Sequence, residues 1–307
     1  MTAELYKRHR PKSFKDVVGQ ETAVRTLVEM GKNGNVPHAL LLTGPSGTGK
    51  TTLARILRQK LKCSDVDFVE VNASEKRGID LAREIASRVG MAPLSGKCRV
   101  WLLDEIHAAT SDCQNALLKL LEDTPKHVYF MLATTDPKKL KPTIITRCTE
   151  IKCKSIKRKD MEGLIHSIVS KEWGEDKTLD RDVCEKIVDV ADGSARKALV
   201  ILNQVLAIAD VKEQLAAVES SDLKGKAIEI ARALVDEKTT WKQMASILKS
   251  VEEEAETIRW MVLGYCKSVL LNGVNERAAR IIDEFRDHFY DSKEAGLVAA
   301  CWHVIRD

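Results

Sequence analysis

The run Gly44-Pro45-Ser46-Gly47-Thr48-Gly49-Lys50-Thr51 has the spacing of a phosphate-binding loop, G-x-x-x-x-G-K-[ST]. Glycines allow consecutive backbone N–H groups to turn inward around a phosphate, and the start of a helix adds the positive end of its dipole. Lys50 can reach the outer phosphates of a nucleotide, and the Thr51 hydroxyl can ligate Mg²⁺. The spacing therefore predicts a site for ATP and Mg²⁺ that extends to Thr52.

The segments on either side of this loop fit the prediction. Residues 39–42 are an apolar run typical of a buried strand, and residues 52–60 carry Leu53, Ile56 and Leu57 at helical spacing. A chance glycine-rich turn is the alternative. Strand, turn and helix in this order favour the nucleotide site.

A second candidate is the pair Asp104-Glu105, which follows the apolar segment 99–103. Asp104 can hold Mg²⁺ through its water shell, and Glu105 can orient and deprotonate an attacking water. A polar strand terminus without chemistry is the alternative. Because the pair follows a phosphate-binding loop, we interpret Glu105 as a catalytic residue for hydrolysis rather than for binding alone.

Three further side chains could act on the phosphates. Thr135 follows the apolar segment 128–133, where a hydroxyl can position the attacking water, although a strand-capping threonine is an equal alternative. Arg147 and Arg196 could each supply a guanidinium to transition-state charge, within one subunit or from a neighbour. On composition alone both would be solvated arginines.

The elements that position these residues alternate between strand and helix patterns. After residues 39–42, strand-like segments occur at 66–71, 99–103, 128–133 and 149–152. Helical patterns at 79–89 and 112–122 separate them. This alternation predicts an α/β fold with a five-stranded parallel sheet covered on both faces.

Strand patterns stop after about residue 154, and only helical ones follow. We divide the chain into a nucleotide-binding domain at 1–154, a three-helix domain at 155–212 and a second all-helical domain at 213–307. A polar break at 219–222 is predicted to precede the last group of helices.

Composition limits the classes of protein that fit. Hydrophobic residues make up 44% and charged residues 31% of the chain, as in soluble globular proteins. The net charge of +4 permits a polyanionic partner without requiring one. The eight cysteines lack zinc-ligand spacing and suit a reducing compartment. No segment has the length of a membrane span and no signal-peptide core is present, so we expect an intracellular, soluble protein with no membrane partner.

The order of the motifs resembles the clamp-loader ATPases of the AAA+ superfamily over about residues 5–207. The segment Asn72-Ala73-Ser74-Glu75-Lys76-Arg77-Gly78-Ile79-Asp80 is similar to replication factor C small subunits. The segments from Asn115 and Thr134 are closer to the bacterial polymerase III gamma/tau subunit. The other matching segments are His9-Arg10-Pro11, Phe14 to Gln20, the phosphate loop, Leu102 to His107, Thr146-Arg147-Cys148 and Gly193 to Leu199.

This resemblance implies roles for particular residues. Thr135 would be sensor 1, Arg196 would be sensor 2 on a helical lid at 155–212, and Arg147 would be an arginine finger that reaches the ATP of the adjacent subunit. The residues implied to frame the adenine are Arg10, Pro11, Val17 and Val18.

The resemblance also implies partners and a location. The chain would be one of the clamp-loader subunits of a ring-like pentamer held by a helical collar at 213–307, which opens a sliding clamp onto primer-template DNA. Such a protein is cytoplasmic in a bacterial or phage-infected cell, and nuclear if the source is eukaryotic. Thr-Arg-Cys stands here for the usual Ser-Arg-Cys, Ser46 replaces a second proline, and the zinc insert of bacterial gamma/tau is absent. The compact chain therefore looks more like a replication factor C or phage-type subunit.

Two regions are candidates for contacts with these partners. Clamp loaders grip the DNA backbone with helix N-termini and nearby basic or hydroxyl groups, which predicts DNA contacts around two helix starts. The candidates are Lys76, Arg77, Arg83, Thr110 and Ser111. The alternative is a solvated charged face with Ser111 as a helix cap.

The loop at 89–96 carries Met91 and Leu94 between glycines, at the position that contacts the clamp in these relatives. Either the two apolar side chains enter a pocket on the clamp, or the loop folds back onto its own sheet.

Two other functions are compatible with the motifs. An AAA+ DNA motor such as a branch-migration helicase shares the three-part layout but would carry a winged-helix domain at the C-terminus. The sequence has helical patterns there and no β-hairpin pattern. A scaffold subunit that binds ATP without hydrolysis is the third hypothesis, and Glu105, Arg147 and Arg196 weigh against it.

Overall fold

The computed structural model describes residues 4–174, 178–251 and 254–306, without the side chains of residues 220 and 222–225. The chain divides into two compact units, the first ending at Ile208 and the second beginning at Ala209. The described part of the first unit contains the sheet, nine α-helices and three short 3₁₀ helices, and the described part of the second unit contains α-helices.

The first unit is built on a five-stranded parallel sheet, as predicted. Its strands are β1 (Ala39–Thr43), β2 (Phe68–Asn72), β3 (Arg99–Asp104), β4 (Val128–Thr134) and β5 (Thr149–Lys152). Their order across the sheet is β2-β3-β4-β1-β5. This order places β1 in the interior, with Leu41 opposite Leu132 of β4 and Leu42 opposite Ile151 of β5.

Helices cover both faces of this sheet. They are α2 (Glu21–Lys32), α3 (Lys50–Lys60), α4 (Ile79–Val89), α5 (Ser111–Glu122) and α6 (Pro142–Ile145). The short α1 (Leu5–Arg8) precedes them and packs against α9 (Ala195–Val205). Apolar residues of α2 and α3 form one core with the sheet, and those of α4 and α5 form the other. Because two faces are covered, β1, β3 and β4 are continuous apolar runs rather than alternating ones.

Three more helices complete the first unit: α7 (Arg158–Trp173), α8 (Arg181–Ala191) and α9 (Ala195–Val205). The N-terminal segment is tied to them and to the chain that leads to them. His9 Nε2 lies 2.5 Å from the carboxylate of Glu172 in α7. The buried Gln20 side chain donates to the carbonyl of Lys154 and accepts from its N–H, at 2.6 and 3.0 Å. These bonds attach the N-terminal segment to the end of α7 and to the chain between β5 and α7.

The second unit consists of α10 (Val211–Val235), α11 (Trp241–Leu248), α12 (Ala255–Leu271), α13 (Glu276–Glu284) and α14 (Lys293–Arg306). Its core includes the fully buried Met244, Val262 and Phe285. No strand occurs in its described residues, 209–251 and 254–306.

The predicted break at 219–222 is wrong, because α10 runs through it without interruption. Val218 and Ala227 are both buried, so the apolar stripe continues across the polar residues. The Ser221 hydroxyl donates to the carbonyl of Ala217 one turn earlier, at 2.9 Å, which satisfies it within the helix. Polarity alone does not end a helix where no proline interrupts its hydrogen bonds.

Candidate nucleotide site

The phosphate loop joins the buried end of β1 at Thr43 to the first residue of α3, Lys50. Gly44, Gly47 and Gly49 have φ angles of 145°, 74° and 100°. These angles belong to the backbone region that residues with a Cβ avoid. The loop can therefore curl around the start of α3, with its backbone N–H groups available to an anion.

We expect Gly44→Ala to disrupt this loop. A Cβ at Gly44 would lie 2.1 Å from the carbonyl oxygen of Cys153, a backbone atom that cannot move aside. The cost should be about 3 kcal/mol of unfolding free energy, from strain and the clash together.

Urea denaturation tests this against Gly31→Ala in α2. A Cβ at Gly31 meets no atom within 4 Å, so this control should stabilise the helix by about 0.5–1 kcal/mol. Equal stability of the two variants would contradict the proposed packing of the loop.

Lys50 is buried inside the loop. Its Nζ donates to the carbonyls of Gly44 and Pro45, at 2.7 and 2.8 Å. Burial lowers the pKa of Lys50, and the nearby Glu105 and Asp104 partly oppose this shift. The ammonium group is thus held where the loop curls and faces the acidic residues that follow β3.

Thr51 and Asp104 are brought together at the carboxyl edge of the sheet. The Thr51 hydroxyl donates to Asp104 Oδ2 at 2.7 Å, and the N–H of Glu105 donates to Asp104 Oδ1 at 3.0 Å. A hydroxyl and a carboxylate side by side are hard oxygen ligands of the kind that Mg²⁺ prefers. The two residues predicted to hold the metal therefore fit that ion.

The carboxylate of Glu105 lies beside the end of β4. Its Oε2 accepts from the Thr135 hydroxyl at 3.1 Å and lies 3.2 Å from His107 Nδ1. The same His107 nitrogen lies 3.0 Å from the hydroxyl of Thr134. Sequence reasoning assigned no role to His107. The signals for it were its place two residues after Glu105 and its position at the end of the matching segment Leu102 to His107.

The backbone at Glu105 is left-handed, with a φ of 50° and a ψ of 42°. For a residue with a Cβ this conformation costs roughly 1–2 kcal/mol. It turns the chain sharply at the end of β3, so that the Glu105 side chain reaches Thr135. Such local strain is common at functional sites.

The first turn of α9 packs against the phosphate loop. A Cβ at Gly47 would lie 2.1 Å from Ser194 Oγ and 3.1 Å from Arg196 Cβ. The Arg196 guanidinium lies 5.6 Å from the centre of the Tyr6 ring. The predicted sensor residue is therefore at the loop, and Tyr6 is a neighbour that sequence reasoning missed.

The N-terminal residues assigned to the adenine are less completely placed. Burial lowers the pKa of Arg10, and the charges of Arg55 and Arg196 contribute to this shift, so Arg10 lies in the same region. Val17 packs against the core beneath α2 and α3. Pro11 and Val18 are half-buried. The contact of these residues with adenine stays a prediction.

Residues 40–155 match the family model described as ATPase family associated with various cellular activities (AAA). They are an AAA domain. This assignment rests on the match and agrees with the phosphate loop, the acidic pair and the parallel sheet described above.

Relatives of the AAA domain and its flanks include DNA polymerase III subunit tau from three bacteria. The chain is 34% identical to that of Bacillus subtilis over 66% of this chain and 39% of the relative. It is 32% identical to that of Salmonella typhimurium, over 84% of this chain and 43% of the relative. It is 34% identical to that of Escherichia coli, over 67% of this chain and 35% of the relative. The chain thus spans about two fifths of the length of these relatives.

The fold is also similar to a solved structure, the Thermotoga maritima RuvB Holliday junction branch migration motor. The TM-score is 0.57 at 20% identity, over 88% of this chain and 89% of that chain. At this identity the likeness shows the fold alone.

Arg147 does not contact the phosphate loop of its own AAA domain. It forms an ion pair with Glu122 at the end of α5, with Nε 2.7 Å from Oε1, and Nη1 donates to the carbonyl of Thr143 at 2.8 Å. Its hydrogen bonds therefore go to α5 and α6. Sequence reasoning did not identify Glu122 as its partner.

The candidate DNA residues surround the starts of α4 and α5 in the AAA domain. The N–H of Thr110 donates to the carbonyl of Arg77 at 2.9 Å, which joins the two segments. The Thr110 hydroxyl accepts from the N–H of Cys113 and caps α5. Ser111 is the first residue of that helix, so its assignment as the cap is wrong: the extended backbone that a cap requires occurs at Thr110.

The three basic candidates are exposed, and two of them have acidic neighbours. Lys76 pairs with Glu84 at 3.2 Å, and Arg83 pairs with Asp80 at 3.1 Å. Arg77 Nε donates to the carbonyl of Ser74. Exposed pairs of this kind are weak, so these side chains can turn toward a phosphate at little cost.

Met91 and Leu94 are 55% and 78% exposed. The alternative interpretation required the loop to fold back so that the sheet of the AAA domain covers these side chains. Their exposure shows that the sheet does not cover them. The backbone of their loop is hydrogen-bonded to Asp67, just before β2.

Other expectations concern the chain as a whole. All eight cysteines are free, and seven of them are buried. In the described part of the chain no cluster of His, Cys, Asp and Glu side chains could hold a metal ion by itself. None of the helices in the described ranges is long and apolar enough to cross a membrane.

Proposed function

We propose that the protein is an ATPase subunit of a DNA sliding-clamp loader. The observation that carries the proposal is the convergence of Lys50, the Thr51–Asp104 pair and the Glu105–Thr135 pair at one sheet edge. It occurs in a chain that is 32–34% identical to DNA polymerase III tau subunits.

In this proposal the phosphate loop binds the triphosphate of ATP. The N–H groups between Gly44 and Thr51 face its oxygens, and Lys50 leaves the carbonyls of the loop to pair with the outer phosphates. Thr51 and Asp104 would hold Mg²⁺, which neutralises phosphate charge when bound. The Thr51–Asp104 hydrogen bond, which places both oxygens side by side, supports this assignment.

Glu105 acts as the general base. Its carboxylate orients a water and takes one of its protons as the water oxygen bonds to the γ-phosphorus. The bond from the γ-phosphorus to the β–γ bridging oxygen breaks, and ADP leaves with that electron pair. The hydroxyl of Thr135, the residue after β4, donates to this carboxylate at 3.1 Å. This contact keeps Glu105 at the strand ends, where an attacking water would lie.

Arg196 couples the site to the helical lid. Because Ser194 and Arg196 pack directly on Gly47, ATP in the loop would contact the first turn of α9. Arg196 would then read the γ-phosphate as sensor 2, and α7 to α9 would move with it. We propose that this movement, together with Arg147 from the adjacent subunit, turns ATP binding into clamp opening and DNA binding, and that hydrolysis releases the closed clamp on DNA.

The proposed partners are other clamp-loader subunits in a pentamer, the sliding clamp and primer-template DNA. The region around Arg77, Thr110 and Ser111 would meet the DNA backbone, with Lys76 and Arg83 beside it. Met91 and Leu94 would meet the clamp, which their exposure supports.

A DNA motor is the second candidate, because a branch-migration motor shares this fold, although the likeness at 20% identity assigns no function by itself. The described residues of the second unit, 209–251 and 254–306, are helical and contain no β-hairpin of a winged helix. This observation weighs against the motor.

ATP turnover of the assembled complex, measured with and without a sliding clamp and primer-template DNA, tests the proposal. We expect the clamp and DNA together to stimulate turnover. Stimulation by duplex DNA alone, with movement along the strand, would support the motor instead.

The double variant Met91→Asp/Leu94→Asp should lose stimulation by the clamp and keep the ATP affinity of the wild type. Two carboxylates cannot enter an apolar pocket without a large desolvation cost. Val200→Asp, at an exposed apolar position on α9, is the matched control and should retain stimulation. Unaltered stimulation of the double variant would rule out this loop as the clamp contact.

A further inference from the structure

A buried carboxylate organises the loop that carries Met91 and Leu94. Asp67 is fully buried and directly precedes β2. Its two oxygens accept from the N–H groups of Leu94, Ser95 and Gly96, at 2.6, 3.0 and 2.8 Å. The hydroxyl of Ser64 donates to it as well, at 2.6 Å. Three consecutive backbone donors are thus committed to one side chain.

These contacts keep Asp67 ionised. Burial by itself raises the pKa of Asp67, but the hydrogen bonds from Ser64 and from the N–H groups of Gly96, Leu94 and Ser95 together outweigh it. The net pKa lies well below the ordinary value for aspartate. A carboxylate with several donors is stable as an anion even when it is buried.

The other end of the loop is tied down independently. The Arg99 guanidinium donates to the carbonyls of Arg88 and Ala92, at 2.8 and 3.3 Å, and lies 3.8 Å from Asp67. His127 Nε2 lies 3.0 Å from the carbonyl of Met91. The backbone of the loop is therefore held along its length.

This ordered backbone presents apolar side chains to solvent. Among the described residues of the first unit, the most exposed large apolar side chains are Val66, Met91 and Leu94, at 63%, 55% and 78%. Val66 precedes Asp67 in the chain, and Met91 and Leu94 lie in the loop that Asp67 holds by hydrogen bonds. All three apolar side chains are therefore positioned around Asp67. Exposed cations, Arg88 and Lys97, stand on either side of the loop. Arg88 also pairs with Glu84 at 3.5 Å, and the exposed Asp65 precedes Val66, so the border of this apolar surface carries charges of both signs.

The network lies at the opposite edge of the sheet from the nucleotide site. Asp67 precedes β2, and the loop leads into β3 at Arg99, so both lie at the amino ends of these strands. The phosphate loop and Asp104 lie at the carboxyl ends. A change at Asp67 can therefore be separated from a change in ATP chemistry.

We propose that Asp67 is a positioning residue for clamp recognition. It holds residues 91–96 in the conformation in which Met91, Leu94 and Val66 enter an apolar pocket on the sliding clamp, with carboxylates at the pocket's border facing Arg88 and Lys97. This inference rests on the proposed clamp-loader function. A loop that is ordered before binding loses little conformational entropy in the complex, which raises affinity.

Asp67→Asn tests this role with little change in shape. The neutral amide turns an NH₂ group toward the loop's N–H donors, so the N–H groups of Leu94, Ser95 and Gly96 should lose protection from hydrogen exchange. The dissociation constant for the sliding clamp of the source organism should rise by about ten- to a hundredfold. Asp65→Asn, at a 90% exposed side chain two residues away, is the matched control and should change neither.

Ser64→Ala is a milder variant in case Asp67→Asn fails to fold. It removes one of the donors to Asp67 and should weaken clamp binding by about threefold. The positioning role would be overturned if a folded variant showed faster exchange of the loop N–H groups and still bound the clamp with wild-type affinity. Unchanged exchange of those groups would overturn it too.

The double variant Met91→Asp/Leu94→Asp separates this inference from the proposed function. If that variant binds the clamp normally, the loop is not the clamp contact and the function proposed for it fails. If it loses the clamp while Asp67→Asn and Ser64→Ala bind normally, the loop remains the contact and only the role of Asp67 fails.

Discussion

We expect Glu105→Gln to abolish steady-state ATP turnover and to leave the affinity for ATP at its wild-type value. Glutamine keeps an oxygen that can accept from the Thr135 hydroxyl, so the contact at 3.1 Å survives. It cannot take a proton from water at neutral pH. A positioned general base contributes about 10²–10⁴-fold to the rate, and the variant should lose turnover by that factor.

The measurement is kcat of the assembled complex at saturating ATP, Mg²⁺, clamp and DNA, with the dissociation constant of ATP determined separately. Glu29→Gln is the control, because Glu29 is an exposed carboxylate on α2. A turnover within twofold of the wild type would show that Glu105 is not the general base. Either another residue would then deprotonate the water, or this subunit would bind ATP without hydrolysing it.

The parts of the site that sequence reasoning located are those encoded in short segments. The spacing from Gly44 to Thr51 specifies a loop, and the apolar runs on either side specify its strand and helix. In a parallel sheet the ends of neighbouring strands meet at one edge. For this reason Asp104 and Thr135 could be expected near the loop without any structure.

The contacts that could not be predicted from the sequence join segments that are distant in the chain. Arg147 and Glu122 are 25 residues apart, and Asp67 and Ser95 are 28 residues apart. Each pair meets only because α5 and α6, or β2 and β3, are packed side by side. No local pattern marks such partners, since Glu122 reads as one more charge on an amphipathic helix.

Errors in the elements have a similar cause. Residue type alone does not fix the first residue of α5, because Thr110 and Ser111 both have side chains that can cap a helix. The break in α10 was placed by polarity, although the buried Val218 and Ala227 continue the helix on both sides. In both cases the wider packing decided between locally equivalent choices.

Arg147→Ala should reduce the turnover of the assembled complex by about 10³-fold or more, the contribution of an arginine finger to phosphoryl transfer. The ATP affinity of the isolated chain should not change, because Arg147 contacts Glu122 and Thr143 and not its own phosphate loop. Its side chain is about one-third exposed at the surface, where a neighbouring subunit could meet it. Arg25→Ala, at an exposed arginine on α2, is the control.

A mixing experiment decides whether Arg147 acts on a neighbour. A complex of Arg147→Ala subunits keeps every Glu105, and a complex of Glu105→Gln subunits keeps every Arg147, yet each should be inactive. Co-assembly should restore turnover, because an intact Glu105 in one subunit can then face an intact Arg147 from the next. If Arg147 acted within its own subunit, no site in the mixture would contain both groups. Absence of recovery in complexes shown to contain both variants would therefore contradict the action in trans.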